Sequence, residues 1–255
     1  MRVRGTVFGE VADDYDRIRP GYPVELADEL LGLAGGPVLE VGSGTGKATR
    51  LFARDGVDLT CVEPDARMAE VLRRNLPGVE VVESAFEDWT PPRPYGLLVS
   101  GQAWHWVDPA RRADLAFAAL APGGLFAPFW NVFLVADPGL HAALAEVDAR
   151  HGLTGHTSHR LSAAGLVPLG EFEQEWADLG LTDGRFTGLR SLRYESVLSY
   201  DAEQYREYLM STSLLRMLDP IKADVVLDET IAVIEGSGGV VDFKVCTDVA
   251  LAQRV

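Results

Sequence analysis

The sequence predicts an α/β protein built on a doubly wound, mostly parallel sheet. Three observations carry that prediction. Short β-branched runs alternate with helix-period stretches between residues 24 and 135. Gly and Pro mark the junctions between them. The first strand also runs through a glycine cluster directly into a helix.

The elements follow in order. Leu26, Leu30 and Leu33 repeat at helical spacing until Gly35-Gly36-Pro37 stops them. Val38-Leu39-Glu40-Val41 is a buried strand, and a helix is expected from about Lys47 to Arg54 after the glycine turn. A second strand covers Asp58 to Val62. Met68, Val71, Leu72 and Leu76 then mark a helix face closed by Pro77-Gly78. Val79 to Glu83 and Gly96 to Ser100 are the third and fourth strands, separated by the turn Pro91-Pro92-Arg93-Pro94. Asp108-Pro109 caps and opens a helix through about Ala121, and Leu125 to Phe133 is a fifth strand. Beyond Asp137 the rhythm changes. Leu140, Leu144 and Val147 make a helix face, and a polar loop rich in histidine follows. Leu192 to Leu198 reads as a strand, 202–218 and 222–235 as helices, and Val240 to Leu251 as a long last strand that closes a sheet edge.

Composition narrows the function. Of 255 residues, 47% are hydrophobic and 24% charged, the balance of a globular protein. Acidic residues outnumber basic ones 38 to 23, and the net charge of −15 disfavours nucleic acid as a partner. Cys61 and Cys246 form no CxxC or zinc spacing. No apolar run reaches the ~18 residues that span a bilayer, and the first residues lack the apolar core of a secretory signal. A cytoplasmic protein without a membrane segment is expected. His151, His156 and His159 read as solvated loop residues rather than a metal site.

The most informative stretch is Glu40-Val41-Gly42-Ser43-Gly44-Thr45-Gly46-Lys47-Ala48. A phosphate loop of the form G-x-x-x-x-G-K-[ST] would need Gly at position 41 and a hydroxyl at 48, where Val41 and Ala48 stand. A dinucleotide fingerprint, G-x-G-x-x-G, would place its third glycine on Lys47. What remains is an acid followed by three alternating glycines. Seventeen residues past Gly46, Glu63 ends the second strand, with Pro64-Asp65 turning into the next helix.

This pattern resembles the class I S-adenosylmethionine-dependent methyltransferases over about residues 8–135. The resemblance implies a Rossmann-like, seven-stranded, mostly parallel sheet with an edge antiparallel strand and a helical lid insertion. It implies one domain over 1–255, with a helical cap at 1–35 and the lid at 137–190. Carried over residue by residue, Gly42, Ser43, Gly44 and Gly46 lie along the methionine part of the cofactor. Glu40 holds the loop and the amino group, and Glu63 with Pro64 takes the ribose hydroxyls. Ala85 and Phe86 meet the adenine, and Glu87 accepts from its exocyclic amine. Ser84 stands where the family often has Asp, so Ser84, Glu87 and Asp88 remain alternatives there. Tyr15 and Arg19, in a segment resembling the family's R-P-x-Y-P, cover the methionine end and its carboxylate.

Gln102-Ala103-Trp104-His105-Trp106-Val107-Asp108 resembles the Q-A-x-H-W-x-D signature of a subgroup that includes the trans-aconitate type. Gln102 lines the cofactor or orients the acceptor. His105 is the candidate base, its imidazole suited by an unperturbed pKa of ~6.5, or else a local capping residue. Trp104, Trp106, Trp130 and Asn131 are expected to wall an acceptor pocket. The implied activity is methyl transfer from S-adenosylmethionine, leaving S-adenosylhomocysteine, to a small molecule, oxygen preferred over nitrogen. The rivals are a cofactor-binding protein without catalysis and a nicotinamide-dependent oxidoreductase. A monomer or homodimer is expected.

Overall fold

The computed structural model describes Gly9 and residues 12–153, 161–162 and 173–255. The elements are α1 (Ala12–Ile18), α2 (Val24–Leu33), β1 (Val38–Val41), α3 (Thr49–Phe52), β2 (Leu59–Glu63), α4 (Ala66–Asn75), β3 (Glu80–Glu83), β4 (Tyr95–Gly101), α5 (Arg112–Ala119), β5 (Leu120–Val135), α6 (Pro138–Arg150), β6 (Leu161–Ser162), α7 (Glu173–Asp178), β7 (Phe186–Asp201), α8 (Ala202–Met210), α9 (Ser213–Met217), α10 (Pro220–Gly236) and β8 (Val240–Arg254). They fall into two compact units that share the chain in alternation. The glycine-loop unit is Pro20–Asn131, Pro168–Tyr194 and Thr247–Val255. The other is Met1–Arg19, Val132–Val167 and Glu195–Cys246.

Seven strands follow the order β3-β2-β1-β4-β5-β8-β7, and the two-residue β6 pairs with the end of β5. The pairs β1–β2, β1–β4, β2–β3 and β4–β5 are parallel, as expected of strands buried on both faces. β8 runs antiparallel to β5, since Thr247 bonds Asn131 while Gln253 bonds Gly123. It is antiparallel to β7 as well, with Arg193 on Asp248 and the Val255 amide on the Arg185 carbonyl. The expected antiparallel closure of this edge is therefore present.

Strand alternation divides the core of the glycine-loop unit. Leu39, Val41, Val62, Leu98 and Phe126 pack on one face with α5 and α7. Val38, Cys61, Leu97, Val99 and Ala127 pack on the other with α2 and Phe52 of α3. α4 buries Met68, Val71 and Leu72, the predicted stripe, behind an Asp65 cap that accepts from the Arg67 amide at 3.0 Å. Gly96 is required by a close approach, because a Cβ there would lie 1.5 Å from the Gly35 carbonyl oxygen.

Among the boundaries that differ from the sequence reading, three have a local cause. Asp108 caps a turn, accepting from the Ala110 amide at 2.9 Å, and regular helix starts only at Arg112. α5 then ends at Ala119 because Leu120 already pairs with Tyr95. The helix expected over 202–218 breaks at Ser211-Thr212. There the Ser211 and Thr212 hydroxyls donate to the Tyr208 and Leu209 carbonyls, each at 2.6 Å, and take up the end of α8.

The second unit has its own core, in which Phe133, Leu144, Tyr205, Tyr208, Leu227, Ile234 and Phe243 are buried together. Its helices carry strong starts. Asp137-Pro138 opens α6, an Asp201–Gln204 capping box opens α8, and Asp219-Pro220 opens α10. Residues 154–160 and 163–172 of the expected lid, with His156 and His159, lie outside the described residues, as do 1–8, 10 and 11 of the expected cap.

Candidate functional site

In the glycine-loop unit β1 lies between β2 and β4, and the strand order reverses there, since β2 and β3 lie on one side and β4 and β5 on the other. The crevice beyond the carboxyl ends of such strands is where open α/β sheets bind ligands. Three predicted pieces meet there: the loop after β1, the end of β2 and the turn after β4.

The loop is held by its backbone. The Gly42 amide donates to the Val62 carbonyl at 2.8 Å and the Gly46 amide to the Ser43 carbonyl at 3.0 Å. Gly42, Gly44 and Gly46 have φ of +71°, +56° and +92°, a region that L side chains avoid. Packing adds a second reason at two of them. A Cβ on Gly42 would sit 2.3 Å from that of Ala103, and one on Gly46 would press on Leu72 at 3.3 Å. These two glycines therefore serve the protein's own contacts as well as any ligand's. Ser43 is buried, with its hydroxyl 3.4 Å from the Val62 carbonyl.

Two acids stand beside the loop. Register pairs Glu40 with Cys61, so Glu40 and Glu63 lie diagonally on the same sheet face. Glu63 is 7% exposed. One of its oxygens accepts from the Gly44 amide at 2.8 Å, the other from the Asp65 amide at 3.0 Å. Each oxygen keeps one acceptor site. Burial raises the Glu63 carboxyl above its ordinary range, against the pull of those two amides. Glu40 is 1% exposed. Its neighbours are weak or neutral donors, the Cys61 thiol at 3.7 Å and the Thr49 hydroxyl, with Glu63 as a second negative group. Burial pushes its carboxyl up to about 8. Among the described residues the pair is short of hydrogen-bond donors.

Pro64 is exposed in the turn, while Asp65 is tied to α4 and to Arg67. Ala85 is half-buried and Phe86 buried, its ring centroid 6.0 Å from that of Trp104. One Glu87 oxygen accepts from the Asp108 amide at 2.6 Å, so only the rest of that carboxylate is uncommitted. Ser84 bonds its neighbour's carbonyl at 3.0 Å.

After β4 the chain turns through Gln102, the one non-glycine residue with positive φ (58°) among the described residues. Its amide donates to the Phe129 carbonyl at 2.9 Å and its side-chain amide to the Asn131 carbonyl at 3.1 Å. Such a held outlier at a strand end marks stored strain. Asn131, expected to face the acceptor, is instead a brace. Its side chain donates to the Gly21 carbonyl at 3.0 Å and accepts from Thr247 at 2.6 Å. Trp104 also departs from expectation. It is wholly buried, 4.7 Å from Phe126 between ring centroids, and so supports the site from the core rather than walling it. His105 and Trp106 are exposed with rings 4.6 Å apart, and Trp130 is half-buried against the core.

Tyr15 and Arg19 belong to the other unit. There Arg19 donates to the Ser211 hydroxyl at 2.9 Å and to the Ser211 carbonyl at 3.1 Å. Two features escaped the sequence reading. Ala103 is the small residue that Gly42 needs, 61 positions away. Thr45, between two glycines, is buried with its hydroxyl unbonded among the described residues, a position that reads as a mere spacer in the motif. No group of three or more metal-ligating side chains is present among the described residues.

The chain is similar to several methyltransferases. Residues 38–124 match the family model described as a methyltransferase domain. An uncharacterised methyltransferase of Mycobacterium tuberculosis is 40% identical over 125 residues, 49% of this chain and 51% of that protein. A trans-aconitate 2-methyltransferase of Rhizobium leguminosarum bv. trifolii is 32% identical over 94 residues, 35% of this chain and 36% of that one. The chain spans about half the length of the first of these relatives. Among solved structures, a candidate type II methyltransferase of Anaeromyxobacter dehalogenans has a TM-score of 0.59 at 22% identity, covering 92% of this chain and 97% of that one. Phosphoethanolamine N-methyltransferase 2 of Haemonchus contortus, solved with phosphomonomethylethanolamine and S-adenosylhomocysteine, has a TM-score of 0.52 at 14% identity, covering 96% and 57%. At such identities the likeness is one of fold.

Proposed function

We propose that this chain, a class I methyltransferase by family, moves a methyl group from S-adenosylmethionine to a small-molecule acceptor, at oxygen in preference to nitrogen. The observation that carries the cofactor is the pair of buried carboxylates short of donors. Glu63 keeps one acceptor site on each oxygen, which suits two neighbouring ribose hydroxyls. Among the described residues no cation stands beside the buried Glu40, which suits an ammonium group, directly or through a water. A nicotinamide dinucleotide brings ribose hydroxyls too, but no ammonium for Glu40.

When bound, the cofactor supplies a methyl group already activated by its sulfonium. The chain's own work is then to position. Gly42, Ser43, Gly44 and Gly46 offer a backbone surface without side-chain bulk. Ala85 and Phe86 offer backbone and apolar surface to the adenine, and the uncommitted Glu87 oxygen accepts from its amine. Gln102, fixed by two hydrogen bonds, orients the groups at the β4 end. Holding donor and acceptor at reacting distance lowers a barrier by up to ~7–11 kcal/mol. A carboxylate acceptor needs no base, whereas a hydroxyl acceptor draws on His105, which lies open to solvent beside Trp106.

Calorimetric titration with S-adenosylhomocysteine, and with NADH in parallel, tests the cofactor. Micromolar binding of the first alone is expected. Binding of NADH alone overturns the assignment and every role attached to it. Turnover on a panel of acceptors separates an enzyme from a protein that only binds the cofactor.

A further inference from the structure

Gly101 ends β4, and its missing side chain has a cause outside the backbone, because its φ is not positive. A Cβ there would lie 2.8 Å from the Phe129 ring and 3.1 Å from the Tyr22 hydroxyl. The glycine clears space for a phenol at the carboxyl end of the strand.

That phenol is fixed from two sides. The half-buried Tyr22 ring meets Phe129 edge to face, with centroids 4.8 Å apart and planes at 85°. The Asn131 side chain donates to the carbonyl of the preceding residue, Gly21, at 3.0 Å, and is itself held by the Thr247 hydroxyl at 2.6 Å. Pro23 follows and opens α2. Tyr22, Gly101, Phe129, Asn131 and Thr247 all belong to the glycine-loop unit.

Register places the hydroxyl at the candidate site. Glu40 pairs with Val99, and the Ser100 hydroxyl donates to the Val41 carbonyl at 2.8 Å, so Gly42 and Gly101 follow on neighbouring parallel strands. Alternation puts a side chain at position 101 on the same sheet face as Glu40. Tyr22 packs on that face, in the cluster of Val99 and the α2 leucines.

Sequence reading assigned this residue no role, and the acceptor walls it expected are partly lost. Trp104 is in the core, Asn131 is a brace, and the Gln102 side chain bonds the Asn131 carbonyl at 3.1 Å. A phenol supplies one O–H donor and two lone pairs, so a bond within the protein still leaves it capacity for a ligand. An oxygen nucleophile keeps a second lone pair while the first attacks, and that pair can accept the phenol's proton. A neutral amine has a single lone pair and cannot do both.

We propose that Tyr22 is an acceptor-binding residue: its hydroxyl faces the point of methyl transfer and holds the acceptor's oxygen there. The inference rests on the methyltransferase reading above, and it names a contact of the acceptor rather than of the cofactor's ribose or amino-acid end.

Sinefungin tests it without a known acceptor. In this analogue of S-adenosylmethionine an aminated carbon replaces the sulfonium, so an ammonium stands in the place of the transferred methyl and can donate to the Tyr22 oxygen. S-adenosylhomocysteine carries nothing at that place. Both are titrated into wild type and into Tyr22→Phe, which removes the hydroxyl and keeps the ring on Phe129. S-adenosylhomocysteine is expected to bind the two proteins alike, while sinefungin weakens about tenfold or more in the variant, the worth of a hydrogen bond to a charged group. Equal sinefungin affinity in the two proteins overturns the proposal and leaves the cofactor reading standing. A loss shared equally by both ligands overturns it as well, since the hydroxyl then serves the nucleoside or the amino-acid end. If neither ligand binds wild type, the methyltransferase reading falls and the Tyr22 role falls with it. Gly101→Ala, whose methyl would press on the hydroxyl, repeats the comparison should Tyr22→Phe not fold, and the same selective loss is expected.

Discussion

Replacing Glu40 by Gln removes a carboxyl that the fold keeps protonated near neutrality. In the folded chain that carboxyl titrates at about 8, against an ordinary value of 4.5. The native state therefore binds this proton more tightly than the unfolded state does. The resulting stability is complete below pH 4.5 and is lost as pH rises toward 8. At 1.36 kcal/mol per pH unit the full loss is at most about 5 kcal/mol. Gln at the same place has no proton to lose. The other titrating groups largely cancel when the two proteins are compared, except that Glu63 loses a charged neighbour. Urea unfolding of wild type and Glu40→Gln at pH 5, 7 and 9 reads the difference directly. The variant is expected to gain on wild type steadily across that range, by roughly 2–5 kcal/mol at pH 9. Curves that stay parallel to within about 0.5 kcal/mol would refute the idea that Glu40 is desolvated and without a cation. A cofactor ammonium placed beside Glu40 should also expel its proton. Heats of S-adenosylhomocysteine binding at pH 7 should then depend on the ionisation enthalpy of the buffer, and more weakly in Glu40→Gln.

Other outcomes follow from the same geometry. Glu63→Ala should weaken S-adenosylhomocysteine by about 1.5–3 kcal/mol, the worth of a charged hydrogen-bonding group, and unchanged affinity in a folded variant removes its ribose role. Gly42→Ala faces both the positive φ, about 1–2 kcal/mol, and the contact with Ala103. Its melting temperature should fall, and Ala103→Gly in the same chain should restore part of the loss. His105→Gln should leave S-adenosylhomocysteine affinity alone. With a hydroxyl acceptor it should slow turnover by 10²–10⁴ and abolish the acid limb of the pH–rate profile, and an unchanged rate and profile removes it as base.

The sheet was legible because its signals are local. The stripe Met68, Val71, Leu72 and the stop at Gly35-Gly36-Pro37 need only neighbouring residues to act, and they appear where expected. The glycine loop with Glu40 and Glu63 was legible for the same reason, since its motif is contiguous and its acids stand at or next to the ends of adjacent strands. What escaped depends on residues distant in sequence. Trp104 looks like a pocket wall until Phe86 and Phe126 close around it. Asn131 looks free until Gly21 and Thr247 use its amide, and Arg19 waits on Ser211. The break between α8 and α9 depends on hydroxyls competing with the helix for carbonyls, which residue spacing alone does not reveal.

The glycine-loop unit is assembled from three separate stretches, Pro20–Asn131, Pro168–Tyr194 and Thr247–Val255. Its last strand segment fills the place between β5 and β7, and Thr247 reaches back to Asn131. On a translating ribosome, β1 to β5 are therefore made well before the strand that pairs β5 along its far side. Until then β5 offers an open backbone edge of the kind that recruits other strands. Loop closure over such a span costs only a few kcal/mol more than over a short one, so the delay is one of timing rather than of stability. A chain released early would expose that edge, and the nascent protein has most need of a chaperone in that interval.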